Sequence, residues 1–163
     1  TDMIVDSTHT LFRIIHYPPL DNGMEPGAIR AAAHEDINLL TVLPAASAKG
    51  LQLQLGSGEW IDVPPASGTI VVNLGDAMQV LSNDRYRAAI HRVTPRSRDA
   101  RYSTPYFYNP PADAVLAPIP SLAEDAPKFT PFRWRDYIKG RVDDNFTDLG
   151  IEDIQIDQFR VPA

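Results

Sequence analysis

The sequence predicts a mainly β domain, built as an antiparallel sandwich or a jelly-roll barrel and followed by one helix near the C-terminus. Three observations favour this fold class. Short apolar segments follow one another at close spacing, most of them stop at a turn signal, and no helical segment between them could cross over between parallel strands. With 163 residues, 44% of them hydrophobic, the chain is long enough for one domain with its own core.

Seven segments carry the strand prediction, and each is apolar or alternates between apolar and polar residues. In chain order they are Leu11–Tyr17, Ile37–Leu43, Leu51–Leu55, Glu59–Val63, Thr69–Leu74, Ala88–Val93 and Tyr102–Tyr108. Pro18 and Pro44 follow the first two segments. Gly56-Ser57-Gly58 predicts a hairpin turn between the third and the fourth.

The composition changes after residue 110. Prolines recur through residues 110–131 and predict a connection over the surface without a catalytic role. Apolar residues then recur at helical spacing and predict an amphipathic helix from Pro131 to about Arg141, the one helix that we expect. The remaining acidic residues, Asp143, Asp144, Asp148, Glu152, Asp153 and Asp157, predict a solvated tail.

The composition also narrows the chemistry. The chain has no cysteine, so any metal must be held by His, Asp or Glu. A net charge of -6 disfavours a nucleic acid as partner, because phosphate-binding surfaces are usually basic. No apolar run approaches the roughly eighteen residues of a membrane span, and no secretion signal opens the sequence. We therefore expect a cytoplasmic protein that acts on a small molecule and contacts no membrane.

One locally basic stretch would instead favour a nucleic acid as partner. It consists of Arg85, Arg87, Arg92, Arg96, Arg98 and Arg101. Because no aromatic platform for base stacking alternates with these arginines, we interpret them as a solvated rim and not as a nucleic-acid site.

Two histidines and one aspartate are candidate metal ligands. His34 and Asp36 are two residues apart, and in an extended strand such residues point to the same face while Glu35 points away. His91 lies in another apolar segment, where an unpaired imidazole is costly to bury. Two imidazoles and one carboxylate with open positions suit iron(II). Either feature alone is common in proteins without a metal, and His91 alone would more often be a hydrogen-bonded core residue.

Arg101-Tyr102-Ser103 shifts the balance towards a ligand site. Residues 95–100 are interpreted as a loop between two antiparallel strands, which would place Ser103 across from His91 and Arg101 about 7 Å further along the same inner face. A buried guanidinium requires an anion, and a carboxylate matches its planar shape. A dicarboxylic acid would chelate the metal with one end and meet Arg101 with the other, with the Ser103 hydroxyl as a further donor.

These residues stand in segments that resemble one enzyme family. In order the segments are His34-Glu35-Asp36, Gly50-Leu51-Gln52, Gly68 to Asp76, Val80 to Asn83, His91-Arg92-Val93 and Arg101-Tyr102-Ser103. Over about residues 11–110 the chain is similar to the isopenicillin N synthase-like family of iron(II)/2-oxoglutarate oxygenases. The resemblance implies a double-stranded β-helix, a cupin-like jelly-roll barrel, with a C-terminal helix. It also implies iron(II) on His34, Asp36 and His91.

Further roles follow from the same resemblance. Arg101 and Ser103 would grip the distal carboxylate of 2-oxoglutarate, Tyr17 would donate a hydrogen bond to the same co-substrate, and Phe107 would touch the substrate. Iron(II), 2-oxoglutarate and O2 would then oxidise, most simply hydroxylate, a small organic substrate and release succinate and CO2.

We expect one oxygenase core domain over residues 1–163, with the barrel at about 11–110, the connection at 110–131 and the helix and tail at 132–163. Family members begin with a helical segment before the first barrel strand, and the chain has almost none; the sequence leaves open whether it is a fragment. Two alternatives stay open: an iron(II) oxidase of the same family that uses no 2-oxoglutarate, and a non-catalytic metal-binding barrel. The sequence predicts no oligomeric state.

Overall fold

The computed structural model describes residues 10–20, 29–95, 98–123, 126–146 and 154–162, and for residues 142–146 it describes the backbone alone. Within these ranges the chain is mainly β, as predicted. The strands are β1 Leu11–Phe12, β2 Ile15–Tyr17, β3 Ala31–His34, β4 Leu40–Pro44, β5 Leu51–Gln54, β6 Trp60–Asp62, β7 Ile70–Leu74, β8 His91–Val93, β9 Arg101–Ser103, β10 Tyr106–Tyr108, β11 Val115–Leu116 and β12 Phe132–Arg133. The helices are α1 Asp76–Leu81 and α2 Trp134–Phe146, with short 3-10 turns at Pro120–Leu122 and Ile156–Phe159.

Two four-stranded antiparallel sheets form the body of the fold. The first has the strand order β1-β10-β4-β7 and the second has the order β3-β8-β5-β6. The predicted hairpin is present, because β5 pairs with β6 and Leu53 lies opposite Ile61. Two further ribbons, β2-β9 and β11-β12, complete the described sheet structure.

The first and the last predicted strands are each divided in two. β1 pairs with β10 in the first sheet, whereas β2 pairs only with β9 in a separate ribbon. The division falls at Pro105, whose nitrogen cannot donate to a ladder. Its carbonyl still accepts a 3.0 Å hydrogen bond from the Arg13 amide. One long antiparallel ribbon, formed by segments about 90 residues apart, therefore runs past the edge of the first sheet and places β9 at a different wall of the fold.

The predicted pairing of β8 with β9 is wrong. β8 pairs with β3 and β5, so that His91 lies opposite His34 on one side and Leu53 on the other. β9 instead pairs with β2, and Arg101 lies opposite Tyr17. The prediction assumed a local hairpin, whereas the hydrogen-bonding partners of β8 come from segments about 40 to 60 residues earlier in the chain.

Two elements near the candidate ligands lie outside the prediction. β3 consists mostly of alanine, which is depleted in strands and gives little sequence signal. α1 begins after Gly75, where an added Cβ would collide with the backbone oxygens of Asp36 and Asn38. Glycine at this position therefore lets the start of α1 lie directly against the segment that follows β3.

An apolar core lies between α1, α2 and the β11-β12 ribbon. Its buried members are Leu39, Ala77, Val80, Ala114, Leu116, Phe129, Phe132, Trp134, Tyr137 and Ile156. The connection at 110–131 is thus not confined to the surface, because residues from it form part of this core. Ile156 and Phe159 also pack against this core, whereas Asp157 between them is exposed, as predicted for the acidic tail. Asp148, Glu152 and Asp153 lie outside the described residues.

The predicted C-terminal helix is confirmed as α2, which continues past Arg141 to Phe146. Neither α2 nor α1 has the length and apolar character that crossing a membrane would require, and the same holds for every other described helix.

Candidate active site

The three predicted metal ligands come together at one end of the second sheet. His34 is the last residue of β3, and His91 is the first residue of β8, directly opposite it. Asp36 lies two residues beyond the end of β3. The His-x-Asp pair therefore spans the end of a strand, whereas the prediction placed both residues within one strand. The ligand atoms of the three side chains all lie within 4.8 Å of one another.

Backbone hydrogen bonds orient both imidazoles. Nδ1 of His34 lies 2.8 Å from the carbonyl oxygen of Ala32, and Nδ1 of His91 lies 2.8 Å from that of Ala89. Each Nδ1 therefore carries the proton, which leaves the Nε2 lone pair available. The two Nε2 atoms lie 3.9 Å and 3.8 Å from Oδ1 of Asp36. Two nitrogens and one oxygen thus converge on one point.

A threonine on β4 holds the carboxylate in this orientation. Thr41 donates a 2.6 Å hydrogen bond to Oδ2 of Asp36 and accepts one of 3.0 Å from the Asn38 side chain. Oδ1 of Asp36 remains directed at the histidines. The amide of Asp76 at the start of α1 also donates to the Asp36 carbonyl, at 2.9 Å. Both the side chain and the backbone of Asp36 are therefore fixed.

Burial prepares His91 for metal binding, whereas His34 faces solvent. The His91 side chain is 9% exposed and that of His34 is 44% exposed. Burial lowers the pKa of His91, although the Ala89 carbonyl and Asp36 act against this effect. A neutral imidazole is the form that binds a metal.

Glu35, between the two ligands, is outside the cluster. Burial raises the pKa of the Glu35 carboxyl, and the nearby Asp157 adds to the shift. Glu35 is predicted to point away from the face of His34 and Asp36. In agreement, its carboxylate is not part of the group of ligand atoms that the two histidines and Asp36 form.

Arg101 and Ser103 lie on the inner side of β9, with the exposed Tyr102 between them. Arg101 is 1% exposed, and its Nε donates to the Ala48 carbonyl at 3.2 Å. Its Nη1 is buried and has no hydrogen-bond partner among the described residues. Burial lowers the pKa of Arg101, while Tyr17 opposes the shift. The guanidinium is nevertheless cationic near neutral pH, since the pKa of arginine starts far above 7.

All of the predicted site residues line a single cavity of about 70 Å³. Its walls are formed by Ile15, Tyr17, Ala31, His34, Asp36, Thr41, Leu43, Leu51, Asn73, His91, Val93, Arg101, Ser103, Pro105 and Phe107. The guanidinium carbon of Arg101 lies 5.1 Å from the centre of the Tyr17 ring. Gln54 is not among the lining residues and donates to the carbonyl of Gly58 in the hairpin turn.

Three residues near the site were missed from the sequence. Thr41 and Asn38 are residue types too common to single out without knowing that they lie beside Asp36. Arg30 could have drawn attention as a cation four residues before His34. Its Nη2 donates to the carbonyls of Pro18 and Asp99, at 3.0 and 3.2 Å. It therefore adds positive charge close to the Arg101 end.

The donor set fits the two groups that the resemblance implied. Two neutral imidazoles and a carboxylate on one side suit iron(II) and leave coordination positions open. The buried Nη1 of Arg101, without a described partner, suits an anionic group of a ligand within the same cavity. The chemistry of the side chains therefore accommodates a ferrous ion together with a dicarboxylic oxoacid.

Comparison with known proteins identifies relatives that agree with the family resemblance of the sequence. The chain is 36% identical over 143 residues to the 2-oxoglutarate-Fe(II) type oxidoreductase hxnY of Emericella nidulans, covering 85% of this chain and 41% of the relative. It is 38% identical over 133 residues to 1-aminocyclopropane-1-carboxylate oxidase 1 of Malus domestica, covering 78% of this chain and 41% of the relative. The chain thus spans less than half the length of these curated relatives.

Solved structures agree with these matches. A full-length Neurospora crassa protein in complex with alpha-KG superposes with a TM-score of 0.81 at 32% identity, over 89% of this chain and 47% of the fungal protein. The dioxygenase for auxin oxidation in rice gives a TM-score of 0.80 at 26% identity, over 93% of this chain and 51% of the rice protein. The family model for the 2OG-Fe(II) oxygenase superfamily matches residues 8–110. The predicted resemblance is confirmed, and the chain belongs to the 2OG-Fe(II) oxygenase superfamily, whose cofactors are iron(II) and 2-oxoglutarate with O2 as co-substrate.

Proposed function

We propose that this chain carries the catalytic centre of an iron(II)/2-oxoglutarate-dependent oxygenase that oxidises, most simply hydroxylates, a small organic substrate and releases succinate and CO2. One observation carries the proposal. Three metal-binding side chains converge at one end of a cavity whose other end holds a buried arginine with a nitrogen that has no described partner. A dicarboxylic oxoacid bridges two such ends.

In this proposal His34, Asp36 and His91 hold the iron through Nε2, Oδ1 and Nε2. When bound, iron(II) and 2-oxoglutarate would supply the electrons that activate O2 for attack on an unactivated C–H bond. The protein contributes geometry, because the Ala32 and Ala89 carbonyls and Thr41 fix the three ligands before any metal arrives.

The other end of the cavity orients the co-substrate. Arg101 offers its planar guanidinium to the distal carboxylate, with the Ser103 hydroxyl and Tyr17 beside it. Phe107 lies opposite Thr41 in the first sheet and presents its ring to the cavity, where it would contact the substrate. The apolar walls at Leu43, Leu51 and Val93 would exclude water from the reacting groups.

We further propose that the two sheets form the double-stranded β-helix expected from the resemblance. The chain would then act as one oxygenase core domain with the barrel at about residues 11–110. A small-molecule substrate, no nucleic-acid partner and a cytoplasmic location remain predictions from the sequence. The buried position of Arg101 supports the view that the arginine-rich stretch is not one continuous cationic surface.

Asp36→Ala tests the proposal directly. The variant should lose more than a hundredfold in affinity for Mn(II), a redox-stable substitute for iron, and should form no succinate from 2-oxoglutarate. Asp113→Ala, which removes an exposed carboxylate paired with Arg135, is the matched control and should retain both properties. Metal binding by the Asp36 variant at the affinity of the unmodified protein would refute the assignment of the metal centre.

The oxidase alternative predicts a different stoichiometry. A 2-oxoglutarate-dependent enzyme forms one succinate for each O2 consumed, whereas an oxidase that draws all electrons from its substrate forms none. A non-catalytic barrel would bind the metal without consuming O2. Measuring succinate and O2 in the same reaction therefore separates the three functions.

A further inference from the structure

Asn73 is a buried amide without a described partner at the metal end of the cavity. It lies on β7 and is 6% exposed, and it lines the same cavity as the metal ligands. Its side chain makes no hydrogen bond to any residue that the structure describes. No polar atom of Asn73 is among the fully buried side-chain atoms that lack a partner, so the carboxamide opens into the cavity and can donate to a ligand there.

The strand register places Asn73 near Asp36 and away from Arg101. Asn73 lies directly opposite Thr41 on β4, the residue that holds the Asp36 carboxylate. Two residues along the same strands, the next inward pair is Val71 and Leu43, and these apolar side chains line a smaller cavity next to Arg101. Asn73 therefore lies about 7 Å closer to the metal end than the wall beside the arginine.

At the metal end of the cavity, the other hydrogen-bond donors already have acceptors, whereas the Asn73 carboxamide has none among the described residues. Both Nδ1 atoms of the histidines are used on backbone carbonyls, and the Thr41 hydroxyl proton is used on Asp36. The carboxylate of Asp36 can only accept. Among the described residues that line the metal end, the Asn73 carboxamide is the polar group that still has donors to offer.

We propose that Asn73 donates a hydrogen bond to the carboxylate that the oxoacid presents at the metal, a contact additional to the grip of Arg101 on the distal carboxylate. This inference rests on the proposed function and deepens it. The cavity would then bind the oxoacid with a protein donor at each end. The hydrogen bond has a charged acceptor, so its loss should weaken binding by about tenfold or more.

Two probes separate the ends of the cavity. 2-Oxoglutarate has a metal-chelating oxoacid end and a distal carboxylate. Oxalate also chelates a metal, but it has no distal carboxylate that could reach Arg101. Their dissociation constants are measured by calorimetry on the Mn(II)-loaded protein. We expect Asn73→Leu to raise both constants about tenfold and Arg101→Leu to raise only that of 2-oxoglutarate. Gln54→Leu removes an amide outside the cavity and should change neither.

Asn73→Asp keeps the shape of the side chain and replaces its donors with negative charge, so oxoacid binding should weaken at least as much as in the leucine variant. Circular dichroism and Mn(II) affinity report whether each variant is folded and metal-competent. Unchanged constants for both probes in the folded Asn73 variants, or a change for 2-oxoglutarate alone, would overturn the inference. If instead the unmodified protein binds Mn(II) but not 2-oxoglutarate, the proposed function fails and not merely the role of Asn73.

Discussion

The molecule has two interiors that differ in almost every property. The core between α1, α2 and the β11-β12 ribbon is apolar, and its rings pack closely, with Phe132 and Phe159 centred 4.1 Å apart. The cavity between the sheets contains imidazoles, a carboxylate, an amide and a buried guanidinium. The first interior supplies burial energy, whereas the second carries polar groups that are costly to bury without ligands.

The difference indicates that the apolar core mainly stabilises the fold, whereas the cavity mainly serves function. Ring packing in the apolar core can offset a cavity whose polar lining is not optimised for stability. The two regions meet at Asp76, whose carboxylate accepts a 2.6 Å hydrogen bond from Tyr137 in the core and whose amide holds the Asp36 carbonyl. Burial raises the pKa of Asp76 to about 6, against the effect of Tyr137. A substitution in the apolar core should therefore lower the free energy of unfolding and leave ligand affinity unchanged, whereas a substitution in the cavity should do the reverse.

The largest effect on stability should come from Phe129→Ala in the apolar core. The ring is 1% exposed, so its removal should lower the free energy of unfolding by about 3–5 kcal/mol. Chemical denaturation without ligands measures this loss. Below the unfolding transition, the affinities for Mn(II) and 2-oxoglutarate should stay within about twofold. A large loss of affinity in the folded variant would mean that the two interiors are not separable.

Arg101→Leu should show the reverse. We expect the dissociation constant of 2-oxoglutarate to rise about a hundredfold, because a charge-assisted and bidentate contact is lost. Without ligand, the free energy of unfolding should stay within about 1 kcal/mol or increase, since a buried guanidinium with an unpaired nitrogen is removed. Arg92→Leu is the control, because Arg92 stacks on Trp60 at 4.0 Å outside the cavity. A loss of stability as large as that of Phe129→Ala would contradict the comparison.

Thr41→Val sharpens the comparison within the cavity. Valine has the shape of threonine but cannot donate to Oδ2 of Asp36, so the affinity for Mn(II) should fall about tenfold. Thr41→Ser should restore most of it. At saturating metal, 2-oxoglutarate affinity should be unchanged, because Thr41 acts through Asp36. Equal metal affinities in the valine and serine variants would exclude this positioning role.

The smallest effect should come from Asp84→Asn, far from the cavity. Burial alone would raise the pKa of Asp84, but hydrogen bonds from Arg160 and Gln79 outweigh it and lower the pKa. A lowered folded pKa stabilises the protein above the pKa of the unfolded chain, and this contribution is lost as the pH falls through the folded value. The variant should therefore lose about 1–2 kcal/mol near pH 7 and progressively less below about pH 4. A pH-independent difference in the free energy of unfolding would contradict this account.

The sequence predicted the inward-facing residues of the site better than their strand pairing. Period-two alternation identified Arg101 and Ser103 as sharing one face of a strand, and this local rule holds in the structure. The predicted pairing of His91 with Ser103 failed because sheet neighbours are set by contacts between distant segments. Both residues still line the cavity, since β8 and β9 approach it from different walls.

The elements that were missed gave weak or ambiguous signals. Alanines in β3 have little preference for a strand, and α1 is too short for helical periodicity to be detected. Proline in the connection suggested an exposed linker, although Ala114, Leu116 and Phe129 between the prolines are buried. Of the basic stretch, Arg85, Arg87 and Arg98 are exposed as predicted, Arg101 is buried, and Arg96 lies outside the described residues.

His34 and His91 are nearly sixty residues apart along the chain, and β4, β5, β6, β7 and α1 all lie between them. A single ion held by both would act as a reversible cross-link that closes this loop, as a disulfide does in proteins with cysteine. The melting temperature would then follow the concentration of free metal. Each tenfold increase above the dissociation constant would add about 1.4 kcal/mol to the free energy of unfolding.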